Sequence, residues 1–158
     1  MSARTREFKL TFNVMKVSPS AFLFNAMAKI IYPTPEKIIE INKLVLVRIK
    51  VKKADKPDLL SYSALNEVIK NCKSEKGDIY DKAVCLLKGI TQKHPFASGN
   101  RRTAFVVTED FLIENKAQAK FKNNQKDAKI FKGVREGYYS DEELRNWIKK
   151  GEIREFKR

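Results

Sequence analysis

Near the N-terminus, Phe8, Leu10, Phe12 and Val14 alternate with polar or charged neighbours. A period of two predicts a short strand-like stretch, an edge that could pair with another segment or a partner chain. From Thr34 the pattern becomes helical. Thr34-Pro35-Glu36 reads as cap, first-turn proline and first-turn acid, and Ile38, Ile41, Val45 and Ile49 follow at helical spacing. Lys52 to Pro57 is charged and ends in proline, which predicts a loop. Leu60, Ala64, Leu65, Val68 and Cys72 mark a second helix, and Ser74 to Asp78, with Gly77, a connection. A third helix carries Ala83, Leu86, Leu87 and Ile90 on one face. Four residues beyond Ile90 on that face stands His94, the one histidine of the chain, aimed inward at the helix end.

A loop with Pro95 and Gly99 follows, then a densely apolar helix through Ala104, Phe105, Val106, Val107, Phe111, Leu112 and Ile113. Apolar residues on nearly every side predict a central, buried helix. Two further helices are expected around Asp127 to Arg135 and Ser140 to Lys150. The last opens with a capping box, Ser140 and Glu143, and buries Leu144, Trp147 and Ile148. The fold class expected is mainly α: a bundle of about six helices with a short N-terminal β-like extension. Residues 1–33 form that unassigned extension, 34–150 the domain, and 151–158 a basic C-terminal tail.

At 158 residues with 42% hydrophobic content, the chain suits one globular domain rather than a disordered segment. No apolar run approaches the roughly 20 residues that span a bilayer; the longest, Ala21 to Tyr32, is broken by Asn25 and Lys29. The N-terminus is unlike a secretory signal, so a cytoplasmic protein without a membrane partner is expected. Cys72 and Cys85 have no metal-ligand spacing and read as reduced core thiols.

Charge changes the picture more. The net +14 comes from 33 Lys+Arg against 19 Asp+Glu and predicts attraction to nucleotides, nucleic acid or an acidic partner. Bases cluster at Lys43, Arg48, Lys50, Lys52, Lys53 and Lys56, and again from Lys116 to Lys132. Such runs are more commonly solvated surface than a nucleic-acid site. No zinc-finger spacing, RNP-type signature or Walker loop supports the latter.

The candidate chemistry gathers around His94. Gly99 permits a tight backbone approach, and Asn100-Arg101-Arg102 begin a helix whose first N–H groups lack internal partners at the positive end of its dipole. That is an anion pocket suited to phosphate. Arg102 can add a bidentate clamp, and Asn100 a side-chain amide. With a reference pKa near 6.5, His94 at the pocket mouth can take a proton from a hydroxyl nucleophile. Phe96 points inward as the loop's anchor. On spacing alone, a histidine ending an apolar stripe fits a satisfied core or cap residue as well, and more often.

The stretch His94-Pro95-Phe96-Ala97-Ser98-Gly99-Asn100-Arg101-Arg102-Thr103-Ala104 resembles the Fic/Doc signature HxFx(D/E)GNxR, in a form similar to the Doc (death-on-curing) branch. The likeness extends from Thr34 to about Lys150 and includes Lys56 to Val68, KPDLLSYSALNEV, and the Trp-bearing last helix. By that resemblance His94 is the base on a Ser, Thr or Tyr hydroxyl of a target protein. Gly99, Asn100, Arg101 and Arg102 bind the phosphates of ATP, the co-substrate. Lys52, Lys53, Lys56 and Leu60 lie near a flap that aligns the target as an added strand.

Two departures qualify the resemblance. The family has an acidic magnesium ligand where Ser98 stands, and a neutral hydroxyl is a weaker ligand for a hard cation. Mg2+ affinity should fall unless the triphosphate or a carboxylate such as Asp58 or Glu67 holds the ion. The other departure is Phe105. AMP-transferring members carry an arginine there, whereas Doc-like members lack it and transfer the γ-phosphoryl group. A Doc-like protein phosphotransferase is therefore the leading expectation, with AMPylation or a catalytically impaired nucleotide- or nucleic-acid-binding module as alternatives. The nearest match to the family's inhibitory helix, Ser63 to Glu67, is followed by Val68 instead of Gly or Asn. The resemblance thus implies the toxin of a toxin–antitoxin pair, restrained by a separate antitoxin chain, with a translation factor as a reasonable target.

Overall fold

A computed structural model describes residues 29–48 and 55–158. Its helices are α1 (Pro35–Arg48), α2 (Tyr62–Ser74), α3 (Ile79–Lys93), α4 (Asn100–Glu114), α5 (Gln125–Arg135) and α6 (Asp141–Lys150). Residues Ile31–Arg158 form one compact unit, and the described residues contain no strand, only an isolated antiparallel bridge between Leu59 and Phe96. The protein is thus a mainly α bundle of six described helices. The strand-like stretch expected at Phe8 to Val14, the end of the first helix at Ile49, and Lys50, Lys52 and Lys53 lie outside the described residues.

Local signals explain where the helices start. The Lys37 amide donates to Thr34 Oγ1 at 3.2 Å, so Thr34 caps α1 with Pro35 as its first helical residue. Ser61 Oγ accepts from the Ala64 amide at 3.1 Å, which starts α2 at Tyr62. Leu60, expected on the buried face of that helix, therefore stands outside it and is 66% exposed. Asp78 and Asp81 form a reciprocal capping box at α3, and Ser140 and Glu143 another at α6. The Asn124 side chain caps α5 through the Asp127 amide at 2.8 Å.

The order of layers differs from the expectation. The central helix is α3, which packs against α2, α4, α5 and α6, whereas α4 packs chiefly on α3 and α1. Ala83, Leu86, Leu87 and Ile90 of α3 are fully buried, as their spacing predicts. On α4, Val107, Phe111 and Leu112 are buried, but Ile113 is 61% exposed. The buried positions of α4, from Asn100, Thr103 and Ala104 through Val107 and Thr108 to Phe111 and Leu112, form one broad stripe and not the whole circumference. From the first turns of α3, the buried Lys82 ammonium donates to the carbonyls of Cys72 (3.3 Å), Lys73 (3.4 Å) and Glu75. It satisfies orphan carbonyls at the α2 C-terminus and interacts with the negative end of that dipole.

Both cysteines are free, Cys72 buried and Cys85 half-buried, and burial pushes their thiols up to about 12 and about 11. They are therefore protonated and inert near neutral pH. The basic segment 151–158 is not a loose tail. The Arg154 guanidinium lies 3.9 Å from the Tyr138 ring centroid, and Phe156 packs edge-on against the same ring at 5.1 Å. Among the described residues, no helix is long and apolar enough to cross a membrane.

Candidate functional site

The site begins where α3 stops. Lys93 is its last residue, and His94 takes the left-handed conformation, φ 49° and ψ 58°. The inward aim of His94 thus comes from a sharp exit, not from a continued helical face. A non-glycine residue held there is uncommon and strained, a pattern that concentrates at functional sites. Gly99 also has positive φ, 77°, and α4 begins immediately after it.

Three buried residues hold the intervening loop. Phe96 is 1% exposed and anchors it in the core. The Asn100 carboxamide closes it, with Oδ1 accepting from the Phe96 amide at 3.0 Å and Nδ2 donating to the Phe96 carbonyl at 2.7 Å. From α1, the fully buried Asn42 donates to the Ser98 carbonyl at 2.9 Å and to Thr103 Oγ1 at 3.0 Å. Outside this loop the Leu60 amide donates to the Pro95 carbonyl at 2.8 Å and the Ala97 amide to the Asp58 carbonyl at 2.9 Å. The segment from Asp58 to Leu60 is thus tied to the loop by backbone.

The amide of Asn100 stands differently from the sequence expectation. It was expected to reach a phosphoryl oxygen, but both its ends are committed to the loop, and Nδ2 also lies 3.3 Å from His94 Nδ1. What position 100 offers an anion in this arrangement is its backbone at the first turn of α4. That turn has no side-chain cap and no acidic residue.

The loop, the start of α4 and α5 enclose a cavity of about 520 Å³ lined by His94, Ser98 to Arg102, Asp55, Phe105, Lys122, Asn124 and Arg135. His94 Nε2 is out of contact with solvent and has no hydrogen-bond partner. Burial first, then the positive fields of Arg135 and Arg101, pull the His94 pKa below its usual 6.5. The imidazole is therefore neutral at pH 7, the form that can exchange a proton with a hydroxyl.

Ser98, Gly99, Asn100, Arg101 and Arg102 are brought together with His94. Lys56 and Leu60 do not line the cavity, and both are exposed. Sequence reasoning missed Asp55, Lys122, Arg135 and Asn42. Asp55 is only 10% exposed at its side chain and pairs with Arg102 Nη2 at 3.0 Å. Its signal in the chain was a lone acid among lysines, which does not reveal a partner 47 residues away.

The carboxylates suggested as stand-ins for an acidic residue at 98 are elsewhere. Glu67 pairs with Lys93 at 2.8 Å on the surface, and exposed Asp58 is outside the cavity lining. Among the described residues no group of three His, Cys, Asp or Glu side chains could hold a metal ion. Ser98 is neutral, Asp55 is engaged by Arg102, and the other acid at the cavity, Asp127, accepts from the Lys122 amide and from Trp147 Nε1. This donor set does not fit a resident Mg2+, which needs near-octahedral oxygen ligation.

Phe105 belongs to an aromatic cluster. Its ring meets Phe121 edge-on at 4.6 Å between centroids and Phe131 at 6.3 Å, and Trp147 packs against both of those rings. An apolar side chain suits this position because its surroundings are rings.

A family model described as the Fic/DOC family matches residues 32–112, just over half of the chain. The chain belongs to the Fic/DOC family. No curated protein matches it. Membership supports a Fic-type transferase in general, and members of the family transfer nucleotide or phosphate groups to proteins. The Fic/DOC match runs from just before α1 to Leu112 near the end of α4. It includes His94 and the whole loop, whereas the cavity wall from Lys122 to Arg135 comes from sequence beyond it.

Proposed function

We propose that this Fic/DOC protein is a Doc-like phosphotransferase, moving the γ-phosphoryl group of ATP to a Ser, Thr or Tyr hydroxyl of a target protein. The observation that carries this reading is Phe105 in its aromatic cluster. The position at which AMP-transferring relatives place a phosphate-binding arginine is here built for an apolar ring. The γ-phosphate end of the triphosphate sits at the uncapped α4 N-terminus, with Arg101, Lys122 and Arg135 adding positive charge around the cavity.

The chemistry asked of the chain is modest, because phosphoryl transfer rests mainly on positioning and electrostatic stabilisation. His94 Nε2 takes the hydroxyl proton as the oxygen bonds to phosphorus. The bond from phosphorus to the bridging oxygen breaks, and nucleoside diphosphate leaves with that electron pair. Arg102, moving from Asp55 to a phosphate, offsets the developing charge. In this reading the protein is a cytoplasmic toxin restrained by an antitoxin chain, and its target is a translation factor.

The test uses ATP labelled separately at the γ- and α-phosphates, with wild type and His94→Ala, with and without magnesium. Label transferred to protein only from γ-ATP, and lost in His94→Ala, is expected. Transfer from α-ATP would show AMP transfer instead. No transfer under any condition, with a growth defect that persists in His94→Ala, would favour a non-catalytic binding module.

A further inference from the structure

The orientation of the Asn100 amide has a consequence for the proton on His94. A reversed amide would set Nδ2 against the Phe96 N–H and Oδ1 against the Phe96 carbonyl, two repulsive contacts in place of hydrogen bonds of 3.0 and 2.7 Å. The orientation is therefore fixed by the backbone of Phe96. A carboxamide nitrogen donates and does not accept. That nitrogen also lies 3.3 Å from His94 Nδ1, within hydrogen-bond distance, so in this contact Nδ1 is the acceptor. In neutral imidazole one nitrogen accepts and the other carries hydrogen. The hydrogen therefore sits on Nε2, which is shielded from solvent.

We propose that Asn100 is a positioning residue that keeps the His94 proton on Nε2 while the site is empty. The hydrogen then sits on the ring nitrogen that is shielded from solvent, and the lone pair faces Asn100. Base action at Nε2 requires the opposite tautomer, with hydrogen on Nδ1, and that tautomer turns one N–H toward another at Asn100. The base is latent until this contact is released. That last step rests on the proposed role of His94; the tautomer itself rests on the Asn100 geometry alone.

Because the chain has one histidine, nitrogen-15 labelling of histidine gives the tautomer directly in the full-length protein without nucleotide. At a pH where the ring is neutral, wild type is expected to show hydrogen on Nε2 and a lone pair on Nδ1. Asn100→Asp replaces the donor by an acceptor, and its neutral ring should carry hydrogen on Nδ1. Asn100→Ala, which removes the donor without adding an acceptor, should give a mixture. Wild type with hydrogen on Nδ1 overturns the proposal. So does an unchanged Nε2–H signal in whichever of the two variants retains the wild-type circular dichroism. Loss of label transfer from ATP in wild type would count against the phosphotransferase reading and leave the tautomer assignment standing.

Discussion

His94 ends a helix in the left-handed conformation and is kept neutral first by burial, then by Arg135 and Arg101. Its folded pKa lies below 6.5 while the unfolded chain titrates near that value. As pH falls through 6.5 toward the folded pKa, the unfolded chain binds the proton first, so stability falls in that window and is fully present above it. Asp55 and Lys122 share the cavity but do not reverse this direction. A carbon-bound proton of the single histidine should titrate below 6.5 by NMR in the native state. A midpoint at or above 6.5 would contradict the buried, positively surrounded setting. Gly99 makes a second demand at this scale. At φ 77° an added Cβ would lie 2.9 Å from Leu46 Cδ2 and 3.3 Å from Asn42 Nδ2. Gly99→Ala should cost about 1–3 kcal/mol in urea unfolding, from backbone strain plus displacement of α1 side chains. A midpoint equal to wild type would show that the turn relaxes freely.

Elements were legible in the sequence where their signals are local. Thr34-Pro35, Ser140 with Glu143 and the four apolar residues of α3 each act within a turn or two, and the helices form where those patterns lie. The site was legible to the same extent, since His94, Phe96 and Gly99 to Arg102 are consecutive on one loop. What was not legible arises between elements. Asn42 on α1 ties down Ser98 and Thr103, and Asp55 ahead of α2 reaches Arg102 of α4. Neither pairing has a periodicity or spacing to reveal it. The Asp55–Arg102 pair also makes a prediction. A nucleotide phosphate that takes Arg102 must displace a carboxylate and sit near its charge, so Asp55 competes with the ligand. Asp55→Asn should tighten binding of ATP measured without divalent metal, several-fold by calorimetry. Weaker binding would show that Asp55 instead holds Arg102 in its binding posture.

The whole molecule matters because one wall of the cavity lies beyond the family match. Residues 32–112 supply His94, the loop and the start of α4, but Lys122, Asn124 and Arg135 come from the α4–α5 connection and α5. What fixes that wall is the aromatic cluster. Trp147 of α6 is 1% exposed, lies 5.2 Å from Phe121 and 5.3 Å from Phe131, and its indole N–H reaches Asp127 at 3.4 Å. Phe105 joins the same rings from α4. Removing the indole leaves a cavity against two phenyl rings, Phe121 and Phe131, and takes a donor from Asp127, so Trp147→Ala should cost about 3–5 kcal/mol. Its effect should reach the site as well, because α5 loses the packing that holds Arg135 and Asn124 against the cavity. Trp147→Phe keeps a ring but loses the N–H, and should recover most of the stability. In both variants, affinity for ATP should follow the urea midpoint: much reduced in Trp147→Ala and near wild type in Trp147→Phe. Wild-type affinity in a folded but destabilised Trp147→Ala would mean that the wall beyond residue 112 is not needed to hold the phosphates, and that the matched segment suffices.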